Sequence, residues 1–149
     1  MSEQGAKFFL DSNVILSGLL SSRGAPKIIL DLFSIEVPLL KGMTGRYNLD
    51  EIERNLKNRF PLLYPIYSEY RSKMRLEIVD IPPFKKIEPL LGQVPSKDAP
   101  VLASARMGGA HYLVTGDKRG FPKKAADPIQ VVSPSVAVNQ IIPKIIQNR

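Results

Sequence analysis

Four carboxylates in this chain are spaced for joint chemistry. Asp11 ends the apolar run KFFL and Asp117 ends HYLVTG, while Glu51 and Asp98 each stand at the start of a helix-like stretch. An aspartate directly after a buried strand is poorly placed for burial and well placed for chemistry. Carboxylates within a few ångströms repel one another, so a cluster of them demands protons or cations. A hard divalent cation resolves that repulsion, and magnesium or manganese, which prefer oxygen ligands and retain water, is the expected cofactor. Taken singly, Glu51 and Asp98 read more readily as helix caps, and Asp117 as a turn residue. The four in this order are more specific than any one of them. Glu53 competes with Glu51, because the helical wheel does not decide which of the two reaches a common cleft.

Other residue types narrow the chemistry. The chain has no cysteine, which removes disulfides, thiolate nucleophiles and sulfur-ligated zinc together. His111 is the only histidine, so a histidine-paired ribonuclease mechanism is excluded; it is expected to pack at the start of its strand. With 21 Lys and Arg against 14 Asp and Glu, the net charge of +7 favours a polyanionic partner. The basic residues lie near acidic ones, in RSKMR, KDAPVLASAR and DKRGFPKK, rather than in one tail. The N-terminal MSEQGAK has no apolar core of a secretory signal, and no apolar run approaches about 18 residues. A soluble cytoplasmic protein with no membrane partner is expected.

The elements that must position these acids alternate along the chain. KFFL, VPLLK (37–41), LEIVDI (76–81), HYLVTGD (111–117) and IQVV (129–132) read as strands. Their unbroken apolar character is that of strands buried on both faces of a parallel sheet. Asn13 is expected to cap a short helix through Leu20, and Pro26 suits the first turn of the next. In NLDEIERNLKNRF (48–60), Asn48 with Glu51 three residues on resembles a capping box, and Leu49, Ile52, Leu56 and Phe60 share one face. Further helices are expected from Leu62 to Met74, from Asp98 through Met107 with Gly108 and Gly109 closing it, and at PSVAVNQII, where Pro143 is expected to kink the last one. Strands alternating with helices over one domain, residues 1–149, define an α/β protein with a mostly parallel sheet covered on both faces. Ligands of such sheets gather beyond the carboxyl ends of the strands, where Asp11 and Asp117 lie.

The segments FFLDSNVILSGLL (8–20), LDEIERNL (49–56), KDAPVLASARMGGAHYLVTGDKRGF (97–121) and IQVVSP (129–134) resemble the PIN-domain family, in particular its toxin components of toxin–antitoxin systems. The resemblance implies a three-layer α/β/α sandwich and a metal-dependent nuclease centre, usually acting on RNA. It implies that Asp11, Glu51, Asp98 and Asp117 are the catalytic acids, with Asp11, Asp98 and Asp117 holding magnesium or manganese. By the same resemblance Glu51, preceded by Leu-Asp and followed by Ile, is preferred to Glu53, and Asn13 and Thr115 orient acids and waters. Two departures make the site less negative than the family's: Lys118, Arg119 and Gly120 follow Asp117 where another acid is common, and Lys97 stands before Asp98 where a second Asp is common. A one-metal site is expected for that reason.

The expected reaction is hydrolysis of RNA phosphodiester bonds leaving a 3′-hydroxyl and a 5′-phosphate, with Lys118 and Arg119 on phosphates unless they form a solvated turn. Tyr47, Tyr64, Tyr67 and Tyr70 are able to stack on unpaired bases or to pack in helices. An antitoxin protein and a second copy of the chain are the expected protein partners. Two rivals stand beside this. One is a non-catalytic nucleic-acid-binding or partner-sequestered module on the same fold. The other is a haloacid-dehalogenase-like phosphohydrolase, disfavoured because Asn13 stands where that family has a second Asp and no acid follows Asp117 until Asp127.

Overall fold

The computed structural model describes residues 5–147. Its strands are β1 (Ala6–Leu10), β2 (Leu40–Gly45), β3 (Glu77–Val79), β4 (Tyr112–Val114) and β5 (Gln130–Val132). They form one sheet in the order β3-β2-β1-β4-β5, with every neighbouring pair parallel. The helices are α1 (Ser12–Leu20), α2 (Ala25–Ser34), α3 (Arg46–Arg59), α4 (Tyr64–Lys73), α5 (Phe84–Ile87), α6 (Ala99–Met107), α7 (Lys123–Ala126), α8 (Pro134–Val136) and α9 (Ile142–Gln147).

Alternation along the strands sends side chains into two separate cores. Phe8, Leu10 and Val114 face a cluster with Val14 and Ile15 of α1, Ile29 and Phe33 of α2, Leu49 and Leu56 of α3 and Tyr67 of α4. Phe9, Met43 and Leu113 face the other cluster, built with Val101, Leu102 and Ala105 of α6 and Ala125 and Ala126 of α7. Two apolar faces explain why the strand sequences show no polar alternation. The architecture is an α/β fold consistent with three layers, helices on each side of an all-parallel sheet.

Three of the local starts that differ from expectation have a clear physical cause. The second strand begins at Leu40 rather than at 37, because Pro38 has no N–H for the ladder and Ala6 N instead donates to Leu39 O. Asp11, not Asn13, caps α1, its side chain accepting from Ser12 N. Helix α3 begins at Arg46 after Gly45, so Asn48 lies inside the first turns, fully buried, and the capping box does not form. The Gly108–Gly109 closure of α6 is present as a Schellman arrangement, with Gly109 at φ 71° and Ala110 N donating to Ala105 O. Pro143 lies in α9, and a π-helical turn, Ala137–Ile141, precedes it and accommodates the missing N–H. No helix among the described residues is long and apolar enough to cross a membrane.

Candidate active site

The strand order reverses direction at the seam between β1 and β4, and the crevice that results lies beyond their carboxyl ends. Asp11 and Thr115 leave the two strands there. Asp11 N donates to Val114 O at 3.0 Å, and Thr115 N to Val132 O at 3.0 Å. Thr115 Oγ1 donates to Asp11 Oδ2 at 2.8 Å. Asp11 Oδ1 accepts from Ser12 N at 2.8 Å and from Asn48 Nδ2 at 3.2 Å. Only 8% of Asp11 is exposed, and that burial pushes its carboxyl above the ordinary carboxylate range. The hydrogen bonds from Thr115 and Ser12 pull in the opposite direction, while the charges of Asp98 and Glu51 push it further up.

Those two acids share the cleft with Asp11. Its volume is about 700 Å³, and Asp11, Ser12, Asn13, Glu51, Lys97 and Asp98 are among its lining. Glu51 reaches in from α3 and accepts from Ser12 Oγ at 2.9 Å. Glu53 turns outward to an ion pair with Lys57 at 3.1 Å, which decides between the two glutamates in favour of Glu51 as the cleft residue. Asp98 stands at the N-terminus of α6 without making a capping hydrogen bond; its carboxylate lies in the cleft, against Gly120. Lys97 Nζ lies 3.3 Å from both Asp98 oxygens, but its side chain is 73% exposed, so solvent weakens that pair.

Asp117 is arranged differently. Its carboxylate is outside the lining of the cleft and accepts from Arg119 N at 3.2 Å and from Arg119 Nε at 3.1 Å. The Arg119 guanidinium holds this carboxyl below its usual range. What ties Asp117 to the cleft is its peptide N–H, which donates to Thr115 Oγ1 at 3.2 Å. Asn13 bridges the same seam, with Oδ1 accepting from Gly116 N at 3.0 Å and Nδ2 reaching Thr115 Oγ1 at 3.4 Å. Lys118 and Arg119 are exposed and line a second depression beside Phe121 and Lys123.

His111 precedes β4 at the opposite end of the sheet, where its Nδ1 accepts from Lys7 N at 2.9 Å. Tyr67 is core, its hydroxyl donating to Leu49 O at 3.3 Å, and burial raises the Tyr70 phenol to about 12. Tyr64 lies under Lys57 Nζ at 4.9 Å. Tyr47 is near the acids: burial raises its phenol and the charge of Glu51 adds to the effect.

Several residues of the cleft lie outside the set expected from the sequence. Asn48, expected as a cap, instead holds Asp11 Oδ1 and Ser12 Oγ through its Nδ2, and its Oδ1 is buried without a partner among the described residues. The amide cannot turn over without aiming its oxygen at the carboxylate. Arg54, Asn55, Asn58 and Arg59 line the cleft as well, and their spacing from Glu51 is the signal that would have found them.

The donor set is all oxygen, which suits a hard divalent cation. Among the described residues, however, no three acids are already placed as a closed set of metal ligands.

No family model and no curated protein matches the chain. Solved structures do. VapBC2 from Rickettsia felis, bound to a DNA fragment from its promoter, aligns at TM-score 0.62 with 14% identity over 85% of this chain and 96% of the other. FitAcB from Neisseria gonorrhoeae aligns at 0.60 with 17% identity, covering 86% and 98%. A toxin–antitoxin complex from Klebsiella pneumoniae aligns at 0.60 with 21% identity, covering 87% and 98%. At such identities the likeness is one of fold. The expectation that the chain is a toxin component of the PIN-domain family is corrected by these findings. No family model supports it, and the similar structures are VapBC2 on promoter DNA, FitAcB and a toxin–antitoxin complex, none of them described as a PIN toxin.

Proposed function

We propose that the chain hydrolyses phosphodiester bonds of RNA in the cleft lined by Asp11, Glu51 and Asp98, with magnesium or manganese as cofactor. One observation carries this reading: the carboxyl of Asp11 is buried, held by three donors, and shares its cleft with Glu51 and Asp98. The cleft gathers Asp11, Glu51 and Asp98, and of the three cations that also line it Lys97 is mostly in solvent while Arg54 and Arg59 form no ion pair among the described residues. A divalent ion bound there would lower the pKa of a water and neutralise charge that builds on the phosphate.

The residues have separable roles in this reading. Asp11 and Asp98 would hold the ion, Asp11 with its orientation locked by Thr115 and Asn48. Glu51, fixed through one oxygen by Ser12 Oγ, would use its other oxygen to hold a water or take its proton. Asp117 would brace Thr115 through its N–H and, on leaving Arg119, add a further carboxylate. A basic chain of charge +7 would raise the local concentration of the substrate. The similar toxin–antitoxin complex from Klebsiella pneumoniae supports a protein partner for this chain too.

A second reading has its own observation. Lys97 on Asp98 and Arg119 on Asp117 occupy two of the four acids, which favours a non-catalytic nucleic-acid-binding or partner-binding component, as on the antitoxin side of such an assembly. Calorimetric titration with manganese, followed by incubation with a panel of structured RNAs, separates the two. Catalysis predicts manganese binding and cleavage, both lost in Asp11→Asn. Cleavage surviving that substitution in a clean preparation would sink the proposal.

A further inference from the structure

Helix α3 turns a polar row toward the cleft that the acid chemistry does not use. Counting from Glu51, positions 54, 55, 58 and 59 fall on one helix face, and Arg54, Asn55, Asn58 and Arg59 all line the cleft with Glu51 and, across it, Lys97. The rest of the helix is committed elsewhere. Leu49, Ile52 and Leu56 are its buried face, and Glu53 and Lys57 pair on the outer one. Arg54 and Arg59 form no ion pair among the described residues. From Glu51 to Arg59 the helix rises about 12 Å, the length of about three stacked nucleotides at about 3.4 Å each.

We propose that this face of α3 is the track for a single-stranded segment of RNA beside the bond to be cut, with Arg54 and Arg59 on phosphates and Asn55 and Asn58 on base edges. The inference rests on the phosphodiester substrate proposed above and adds where the strand lies and what reads it. Guanidinium and amide groups interleaved at one helical pitch are what a nucleic-acid strand needs. Charged groups position the backbone, whereas amides supply a donor and an acceptor to a base edge. Sequence in RNA is read on unpaired bases, which makes a single strand the occupant. The acidic end of the row is the end that holds Glu51, so the strand reaches the cutting centre at one end of the track and is anchored at the other.

The test is binding without turnover: fluorescence anisotropy with labelled single-stranded RNAs of several sequences, in EDTA, with circular dichroism to check each fold. Arg54→Ala and Arg59→Ala should weaken every sequence alike, and each should flatten the dependence of log K on log salt by about 0.7. Asn55→Ala and Asn58→Ala should change the ranking among sequences. Lys57→Ala, which removes the same charge from the outer face of the same helix, should change neither. Equal weakening by Lys57→Ala and Arg54→Ala would mean diffuse attraction and overturn the track, as would capture of a polyglutamate peptide in place of RNA. Binding that behaves as expected in a protein that never cleaves leaves the track standing and removes the catalytic reading. Cleavage with unchanged rate and sequence preference in all four cleft variants removes the track alone.

Discussion

Asp11 pairs a strong set of donors with an environment that resists its charge, and the balance has a measurable sign. Its folded carboxyl lies above the ordinary value, chiefly through burial. Between the unfolded and folded pKa the native state binds the extra proton, so stability falls as pH rises through that window, and the ionised form is a strain at neutrality. In EDTA, Asp11→Asn should therefore gain stability relative to the unsubstituted chain between about pH 4 and about pH 7. Denaturant unfolding of both proteins at the two pH values measures the gap; a gap that does not move with pH contradicts a raised carboxyl. Asp117 makes the opposite case. A guanidinium two residues away keeps it ionised, and its exposure leaves little stability at stake.

At the scale of elements, the site depends on how closely short segments approach. The 3₁₀ turn Lys118–Gly120 backs onto the Asp98 carboxylate, and a β-carbon at Gly120 would collide with Asp98 Oδ2. Gly120→Ala should push the Asp98 carboxylate aside at small cost in stability and lower RNA cleavage by a larger factor than that cost explains. Denaturation and cleavage assays on the same preparation check both, and full activity would mean that Asp98 is free to move. This level also separates what the sequence announces from what it hides. The apolar runs ending at Leu10 and Val114 are visible because both faces of their strands are buried, and the acids after them are visible for the same reason. Asn48 is not, since an Asn three residues before a Glu imitates a cap, whereas the helix has already begun at Arg46 after Gly45. The direction of the Asp117 carboxylate was equally hidden, being set by a choice of rotamer toward Arg119. Membership of the PIN-domain toxins, read from local strings of residues, was the expectation the wider comparison overturned.

For the whole molecule, the proposed cofactor should act as a stabiliser. Manganese at about 100 times its dissociation constant should raise the unfolding free energy by about 2.7 kcal/mol. The gain should vanish in Asp11→Asn, and thermal unfolding with and without the ion measures it. The order β3-β2-β1-β4-β5 has a further outcome. The strand made first sits in the middle of the sheet, and the bond from Thr115 to Asp11 spans 104 positions of chain. A ribosome must therefore deliver the chain through Thr115 before the two halves of the crevice can meet. Whatever chemistry the crevice performs is withheld until both stretches have left the ribosome.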